Sequence, residues 1–195
     1  MAQFNISRHP RVTFPLPFYP TNQGWRHGKY DQRQFGGPRD GGARRHAGVD
    51  LEAPIGTAVL AMADGIVLRA NAFYMRTDEI DVLHPGVGII RYGEILNGSA
   101  LHRKTFVRQG QQIAVIGQRH ENGTWNPRAM LHLELYTDVS RTAPLGRNLL
   151  NGLSQDQVSQ PGHPSFDRRS DLKDPTELLE SAQLYKASSG IWPET

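Results

Sequence analysis

Two side chains that bind divalent metals well, His46 and Asp50, lie four positions apart in the segment HAGVD. In an extended segment, residues two or four positions apart point to the same side, so both side chains can face one cation. The chain contains no cysteine, and a metal site would have to use histidine, aspartate or glutamate. The pair alone also fits a surface histidine followed by a turn-forming aspartate.

A second candidate segment, AMLHLELYTD, has the alternation of a β-strand. The alternation places three leucines on one face and four other residues, with His132 and Glu134 among them, on the opposite face. A lone histidine on a strand is often a hydrogen-bonded structural residue. Glu134 would either orient a metal-binding histidine or form a salt bridge to a neighbouring strand.

Strands are the elements that must position these residues. Between His46 and Tyr136, short apolar runs recur between turn signals, which is typical of antiparallel β structure; the runs are TAVLAMA, GIVLRA, GIIRYGEI, QQIAVIG and MLHLELY. One helix is predicted over 174–186, with Asp174 as N-cap and Pro175 at the first helical position. We therefore predict a mainly β, antiparallel fold with a short peripheral C-terminal helix.

A length of 195 residues suits a single domain with a sizeable core, 1–195. The stretch 14–42 is rich in proline, glycine and aromatic residues, so we expect 1–35 to form an extended N-terminal wrap. The core is expected over 36–140. Residues 141–195 are expected to form a long polar surface loop and then the C-terminal helix.

The charge pattern and the length of the apolar runs argue against two classes of partner. The formal net charge is +3, but the basic residues are scattered and often lie beside acidic ones, so we expect no nucleic-acid partner. No apolar run approaches the ~20 residues of a membrane-spanning helix, so we expect no membrane partner. The stretch MAQFNISRHPRVTFPLPFYP lacks the pattern of a secretory signal, and we expect synthesis in the cytoplasm without a signal peptide.

In chain order, HAGVD, GTAVLAMADGIV, VRQGQQIAVIG and HLE resemble the lysostaphin-type, LytM-like zinc peptidases, which cut peptidoglycan peptides. The resemblance covers about 36–136 and implies a LytM-like sheet, a metallopeptidase core over 36–140, and zinc bound by His46, Asp50 and His132. This ligand set also suits zinc chemically, because two neutral imidazoles and one carboxylate leave a net positive charge and an open coordination position. Such a metal polarises a peptide carbonyl and activates water.

The chain departs from the family pattern at two further histidines. Met130 replaces the first histidine of the family's H-x-H, and Glu94 in RYGEI stands where the family has the histidine of Y-A-H. Glu94 would be the general base of an active enzyme, an exposed strand charge, or part of a decayed site that keeps zinc without turnover. His120, in the loop before the ligand strand, is a further candidate base, or else a solvated loop histidine.

A narrower similarity links RDGGARRHAGVDLEAPIGTAV, RYGEI, MLHLELY and RRSDLKDP to family members delivered as toxins by type VI secretion. It implies a zinc-dependent cross-link endopeptidase that is exported and acts as an antibacterial toxin in the periplasm of a target bacterium. Peptidoglycan stem peptides would be its substrate, and an immunity protein and a secretion-machine carrier its partners. A peptidoglycan amidase and a catalytically silent wall-binding or interaction module are the alternatives. The loops 69–80 and 119–128, which would hold the stem peptide, carry no readable specificity code.

Overall fold

The computed structural model describes residues 11–28, 31–42, 44–142, 168 and 171–186. Within these ranges the chain forms thirteen strands and one α-helix, in the order β1 (Pro38–Arg39), β2 (Arg44–Arg45), β3 (Val49–Glu52), β4 (Ala58–Leu60), β5 (Gly65–Ala72), β6 (Asp78–His84), β7 (Gly88–Ile95), β8 (Phe106–Val107), β9 (Gln112–Val115), β10 (His120–Glu121), β11 (Thr124–Trp125), β12 (Met130–Tyr136), β13 (Leu172–Lys173) and α1 (Thr176–Ser181). All named strand pairs are antiparallel, which confirms the predicted fold class.

The largest sheet has seven strands, and β12 is its hub. The sheet runs in the order β13-β12-β7-β6-β5-β8, and β3 pairs with β12 as well. β7 borders β12 on one side, while β3 and β13 share the other side, β3 beside the first half of β12 and β13 beside its end. β12 therefore has a partner on both sides along most of its length.

The two faces of β12 differ as the alternation predicts. Its leucines at 131, 133 and 135 belong to the main hydrophobic cluster of the core. The opposite face carries His132 and Glu134, which are buried as well, at 4% and 0% exposure. Phe73 and Arg168 contact this polar face, so both faces of the strand are removed from water.

The N-terminal segment is part of the core. The side chains of Val12, Phe14, Leu16 and Trp25 are buried in the same cluster as the leucines of β12. Their removal from water contributes roughly 25 cal/mol per Å² of apolar surface. The described part of the predicted N-terminal wrap thus inserts its side chains into the core.

Helix α1 is shorter than predicted and is buried on one side. Asp174 accepts a hydrogen bond from the Thr176 amide at 2.8 Å, whereas Pro175 occupies the N-cap position. The helix ends at Ala182, which is extended, because Gln183 exchanges backbone hydrogen bonds with the N-terminal segment. This pairing outweighs the helical preference of the residues that follow. The predicted loop over 140–170 lies almost entirely outside the described residues.

No helix in the described ranges is both long enough and apolar enough to cross a membrane.

Candidate metal centre

Strand register brings the three candidate ligands together. Asp50 on β3 lies directly opposite His132 on β12. His46 lies just before β3 and comes within hydrogen-bond distance of both. The structure thus places in one buried cluster the three residues that the resemblance implies as zinc ligands.

Gly48 allows the HAGVD segment to lie close to strand β12. A Cβ atom at Gly48 would lie 2.2 Å from the carbonyl oxygen of Leu133, a distance that no side chain tolerates. Gly48 is the central residue of HAGVD, and its missing side chain allows the segment between the two ligands to pass directly over β12. The glycine is therefore part of the metal motif, although it carries no ligand.

The three ligand atoms form a nearly equilateral triangle. His46 Nε2 lies 3.1 Å from Asp50 Oδ1 and 3.1 Å from His132 Nδ1, and the third side, from His132 Nδ1 to Asp50 Oδ1, is 2.9 Å. A tetrahedral zinc ion with bonds of about 2.0–2.1 Å separates its ligand atoms by roughly 3.3 Å. The triangle therefore fits one face of a zinc tetrahedron, with the fourth position free for water or substrate.

Hydrogen bonds behind the triangle fix the orientation of each ligand. His46 Nδ1 donates to the backbone oxygen of Gln34 at 2.9 Å, and Asp50 Oδ2 accepts from Arg39 Nη2 at 2.7 Å. His132 Nε2 donates to Glu134 Oε1 at 3.0 Å. These partners leave Nε2 of His46 and Nδ1 of His132 directed into the triangle, as metal binding requires.

The electrostatics of the cluster favour a cation at its centre. Burial opposes ionisation of Asp50, yet the neighbouring His46 and His132 hold the pKa of its carboxyl well below its usual range. Burial also opposes protonation of His132, but its hydrogen bonds to Asp50 and Glu134 raise its pKa to about 9. Burial lowers the pKa of His46, so zinc would compete for the cluster mainly with a proton on His132.

Glu94 departs from the regular pattern of β7. Glu79 on β6 pairs with Gly93 while the adjacent Asp78 pairs with Ile95, so Glu94 is the extra residue of a β-bulge. Its φ of 60° lies in the left-handed region, which is unusual for a residue other than glycine. Glu94 is 1% exposed, so the structure contradicts the interpretation as an exposed strand charge.

The Glu94 carboxylate is held next to the metal cluster. Tyr74 Oη donates to its Oε1 at 2.5 Å, and Arg119 Nε lies 3.4 Å from its Oε2. Oε2 is buried, and no group in the described ranges forms a hydrogen bond with it. Burial, and then the negative charge of Asp50, raise the pKa of Glu94 to about 7. A carboxyl group with this pKa can both accept and release a proton near neutral pH.

The structure also places the remaining candidates, Glu134, Met130 and His120. Glu134 contacts His132 directly and also lies 3.5 Å from Arg91 on β7, so both interpretations of Glu134 describe real contacts. Met130 is buried at the start of β12. His120 is on β10, where its ring packs edge-on against Trp125 with a centroid distance of 4.9 Å. Its neighbour Arg119, not His120, contacts Glu94.

Sequence reasoning missed Tyr74, Phe73 and Arg119. Phe73 stacks on His132 with a centroid distance of 5.8 Å, and Tyr74 follows it in the turn between β5 and β6. The predicted peptide-holding loops, 69–80 and 119–128, contain all three residues. Loop composition gave no indication of which members face inward; a Phe-Tyr pair followed by a turn was the one available signal.

The family comparison agrees with this geometry. The model of peptidase family M23 matches residues 44–144, which is more than half of the chain, and the chain belongs to this family. The match confirms the family-level resemblance, and the zinc predicted from the sequence is the cofactor that this family uses and that the cluster fits. A comparison with curated proteins gave no match.

Several solved structures are similar to part of the chain. Lysostaphin from Staphylococcus simulans is 23% identical with a TM-score of 0.47, over 78% of this chain and 48% of that one. A zinc-containing peptidase from Vibrio cholerae is 21% identical with a TM-score of 0.44, over 65% and 36%. A Pseudomonas aeruginosa protein assigned to peptidase M23 is 22% identical with a TM-score of 0.39, over 46% and 37%. The chain thus spans less than half the length of each, and the family assignment rests on the family model.

Proposed function

We propose that this M23 peptidase is a zinc-dependent endopeptidase that cuts the peptide cross-links of peptidoglycan. The observation that carries the proposal is the juxtaposition of the ligand triangle with the buried carboxylate of Glu94. The family supports hydrolysis of a peptide bond, and the resemblance to lysostaphin-type enzymes supports peptidoglycan as substrate.

The chain's own residues supply the proton chemistry. Zinc, when held by His46, Asp50 and His132, supplies a positive charge that polarises the scissile carbonyl and activates water. Glu94 Oε2, to which no described residue donates a hydrogen bond, accepts the proton of the attacking water. Glu94 then donates this proton to the departing amine as the peptide C–N bond breaks, and the products are a carboxylate and an amine.

Tyr74 and Arg119 keep Glu94 ready for this role. Tyr74 donates to Oε1, which leaves Oε2 as the oxygen that accepts the proton. The guanidinium of Arg119 stabilises the carboxylate, and the burial of Glu94 opposes it. This balance accounts for a pKa of about 7, well above that of a solvent-exposed glutamate.

Digestion of defined muropeptides tests the proposal. Cross-linked dimers, linear stem peptides and intact glycan–peptide fragments are incubated with the zinc-loaded protein, and the products are identified by mass spectrometry. We expect dimers to be converted to monomers, and we expect a chelator to stop the reaction and added zinc to restore it. Release of the stem peptide from the sugar would identify an amidase instead. No turnover of any fragment by a zinc-loaded, folded protein would identify a binding module.

We further propose that the enzyme acts as an antibacterial toxin in the periplasm of a target cell after synthesis in the cytoplasm of the producer. The narrower resemblance to toxins delivered by type VI secretion supports this role, as does the location of peptidoglycan outside the cytoplasm. An immunity protein and a secretion-machine carrier are the partners that this role requires. Capture of a neighbouring gene product that blocks muropeptide cleavage would identify the immunity protein.

A further inference from the structure

Arg168 lies outside the segment that matches the family, yet it reaches the polar face of β12. Its Nε atom donates to both carboxylate oxygens of Glu134, at 2.8 and 3.0 Å. Arg168 is 7% exposed and Glu134 is 0% exposed, so the ion pair is buried. The match to the family model ends at residue 144, so Arg168 lies 24 residues beyond the matched segment.

The segment after Arg168 is fixed to the end of β12. Residues Leu172 and Lys173 form β13, which pairs with Tyr136 and Leu135. The Asp171 carboxylate also accepts a hydrogen bond from the Asp138 amide at 2.9 Å. The returning chain is therefore anchored to the end of β12 within three residues of Arg168.

Glu134 has three further partners, but none replaces Arg168. Tyr136 Oη donates to Oε2 at 2.5 Å, and His132 Nε2 donates to Oε1. Arg91 lies farther away, at 3.5 Å, and its Nε is already within 3.0 Å of the carboxylates of Asp81 and Glu79. Of the two arginines that contact Glu134 in the described ranges, Arg168 is the nearer, and its loss would remove a close charge partner of a buried carboxylate.

We propose that Arg168 is a positioning residue of the metal centre, which acts through Glu134 to hold His132 with Nδ1 directed at the metal. The chain of contacts is Arg168 to Glu134 and Glu134 to His132 Nε2, so the imidazole can present only its other nitrogen to the ligand triangle. A carboxylate that orients a metal-binding histidine in this way commonly contributes 10–100-fold to metal affinity. The inference rests on the proposed function only in that zinc is the metal.

Zinc titration of full-length variants tests the proposal. We expect Arg168→Met to weaken zinc binding by about 10–100-fold, and Arg168→Lys, which keeps the charge, to recover most of the loss. In the zinc-loaded protein, the His132 Nε2 proton should exchange with water faster in Arg168→Met than in the wild type, as measured by ¹H–¹⁵N NMR. A merely structural role would not change this proton selectively.

Arg69→Met is the matched control. Arg69 is paired with the buried acids Glu79 and Asp81, neither of which is a candidate ligand, so its loss disturbs a comparable buried ion pair. We expect this variant to lose stability but to bind zinc as the wild type does. Wild-type zinc affinity and proton exchange in Arg168→Met would overturn the proposal, as would an equal loss of affinity in both variants. If zinc binding depends on Arg168 but no muropeptide is cut, the inference stands and the proposed function fails.

Discussion

At the scale of single residues, the ligand triangle makes a direct prediction about zinc. We expect the wild type to bind one zinc ion per chain, and His132→Ala to lose nearly all of it, because His132 Nδ1 is one of the three ligand atoms of the triangle. Elemental analysis after dialysis against a weak chelator measures the ratio. Equal zinc in both proteins would place the metal elsewhere.

The role of Glu94 is tested by a change that keeps its shape. Glu94→Gln should retain zinc and the fold but lower turnover of muropeptides by roughly a hundredfold or more, the usual scale for loss of a general base. Met130→His, which restores the family's residue near His132, is expected to change the rate only modestly. Full zinc-dependent activity in Glu94→Gln would exclude it as the base, and His120→Ala would then be the next variant to measure.

The pH dependence follows from the hydrogen bond that Tyr74 donates to Glu94. Glu94 must be ionised to accept a proton, so activity should fall as the pH drops through its pKa of about 7, and a nearby bound cation would lower this pKa. Tyr74→Phe removes a donor that favours the carboxylate, so this acid limb should move to higher pH. The expected shift is roughly 1–2 pH units, because hydrogen bonds to charged groups are worth about 1.5–3 kcal/mol. An unchanged kcat/KM profile would contradict the assignment.

The candidate ligands His46, Asp50 and His132 could be predicted from the sequence because their spacing is tied to strand periodicity and to a recognisable family pattern. Tyr74 and Arg119 could not, because their contacts with Glu94 depend on how two loops meet over the sheet. Arg168 begins the RRSDLKDP segment of the narrower similarity, but its sequence separation of 34 residues from Glu134 gives no sign of their contact.

At the scale of elements, the fourth prediction concerns the close contact between the HAGVD segment and strand β12. Gly48→Ala should impair zinc binding and lower the stability by about 1–3 kcal/mol, the range of overpacking, although it removes no ligand. The reason is that the new Cβ would meet the Leu133 carbonyl at 2.2 Å and push β3 away from β12. Thermal denaturation and zinc titration measure the two effects. Gly56→Ala is a useful comparison, because no atom lies near its Cβ position, although its φ of 80° adds a backbone cost that Gly48 does not carry.

The strands of the sheet were predictable where alternation was strong, as in β12. The bulge that turns Glu94 toward the cluster was not, because one extra residue in a ladder leaves the composition of the strand unchanged. The end of α1 was missed for a related reason. Its last predicted residues have helical character, but Gln183 is drawn into pairing with the N-terminal segment.

At the scale of the whole molecule, the proposed substrate predicts that toxicity to a bacterium depends on whether the protein is in the cytoplasm or the periplasm. The protein should be tolerated in the cytoplasm of a host bacterium and should cause lysis when an added export signal directs it to the periplasm, because only there does it meet peptidoglycan. Growth curves of the two strains measure the effect, with Glu94→Gln as the inactive control. Equal toxicity in both compartments, or equal toxicity of the control, would point away from peptidoglycan hydrolysis.

The pairing of β3 with β12 also determines when the ligand triangle can form during synthesis of the chain. His132 and Asp50 are 82 residues apart, and His132 depends on Glu134, whose nearest cation is Arg168. Closing so long a loop costs entropy that is recovered only when most of the sheet has assembled. A chain that has left the ribosome only as far as β7 contains His46, Asp50 and Glu94 but cannot assemble the triangle. The ligand triangle therefore forms only after β12, one of the last strands to be made, has left the ribosome.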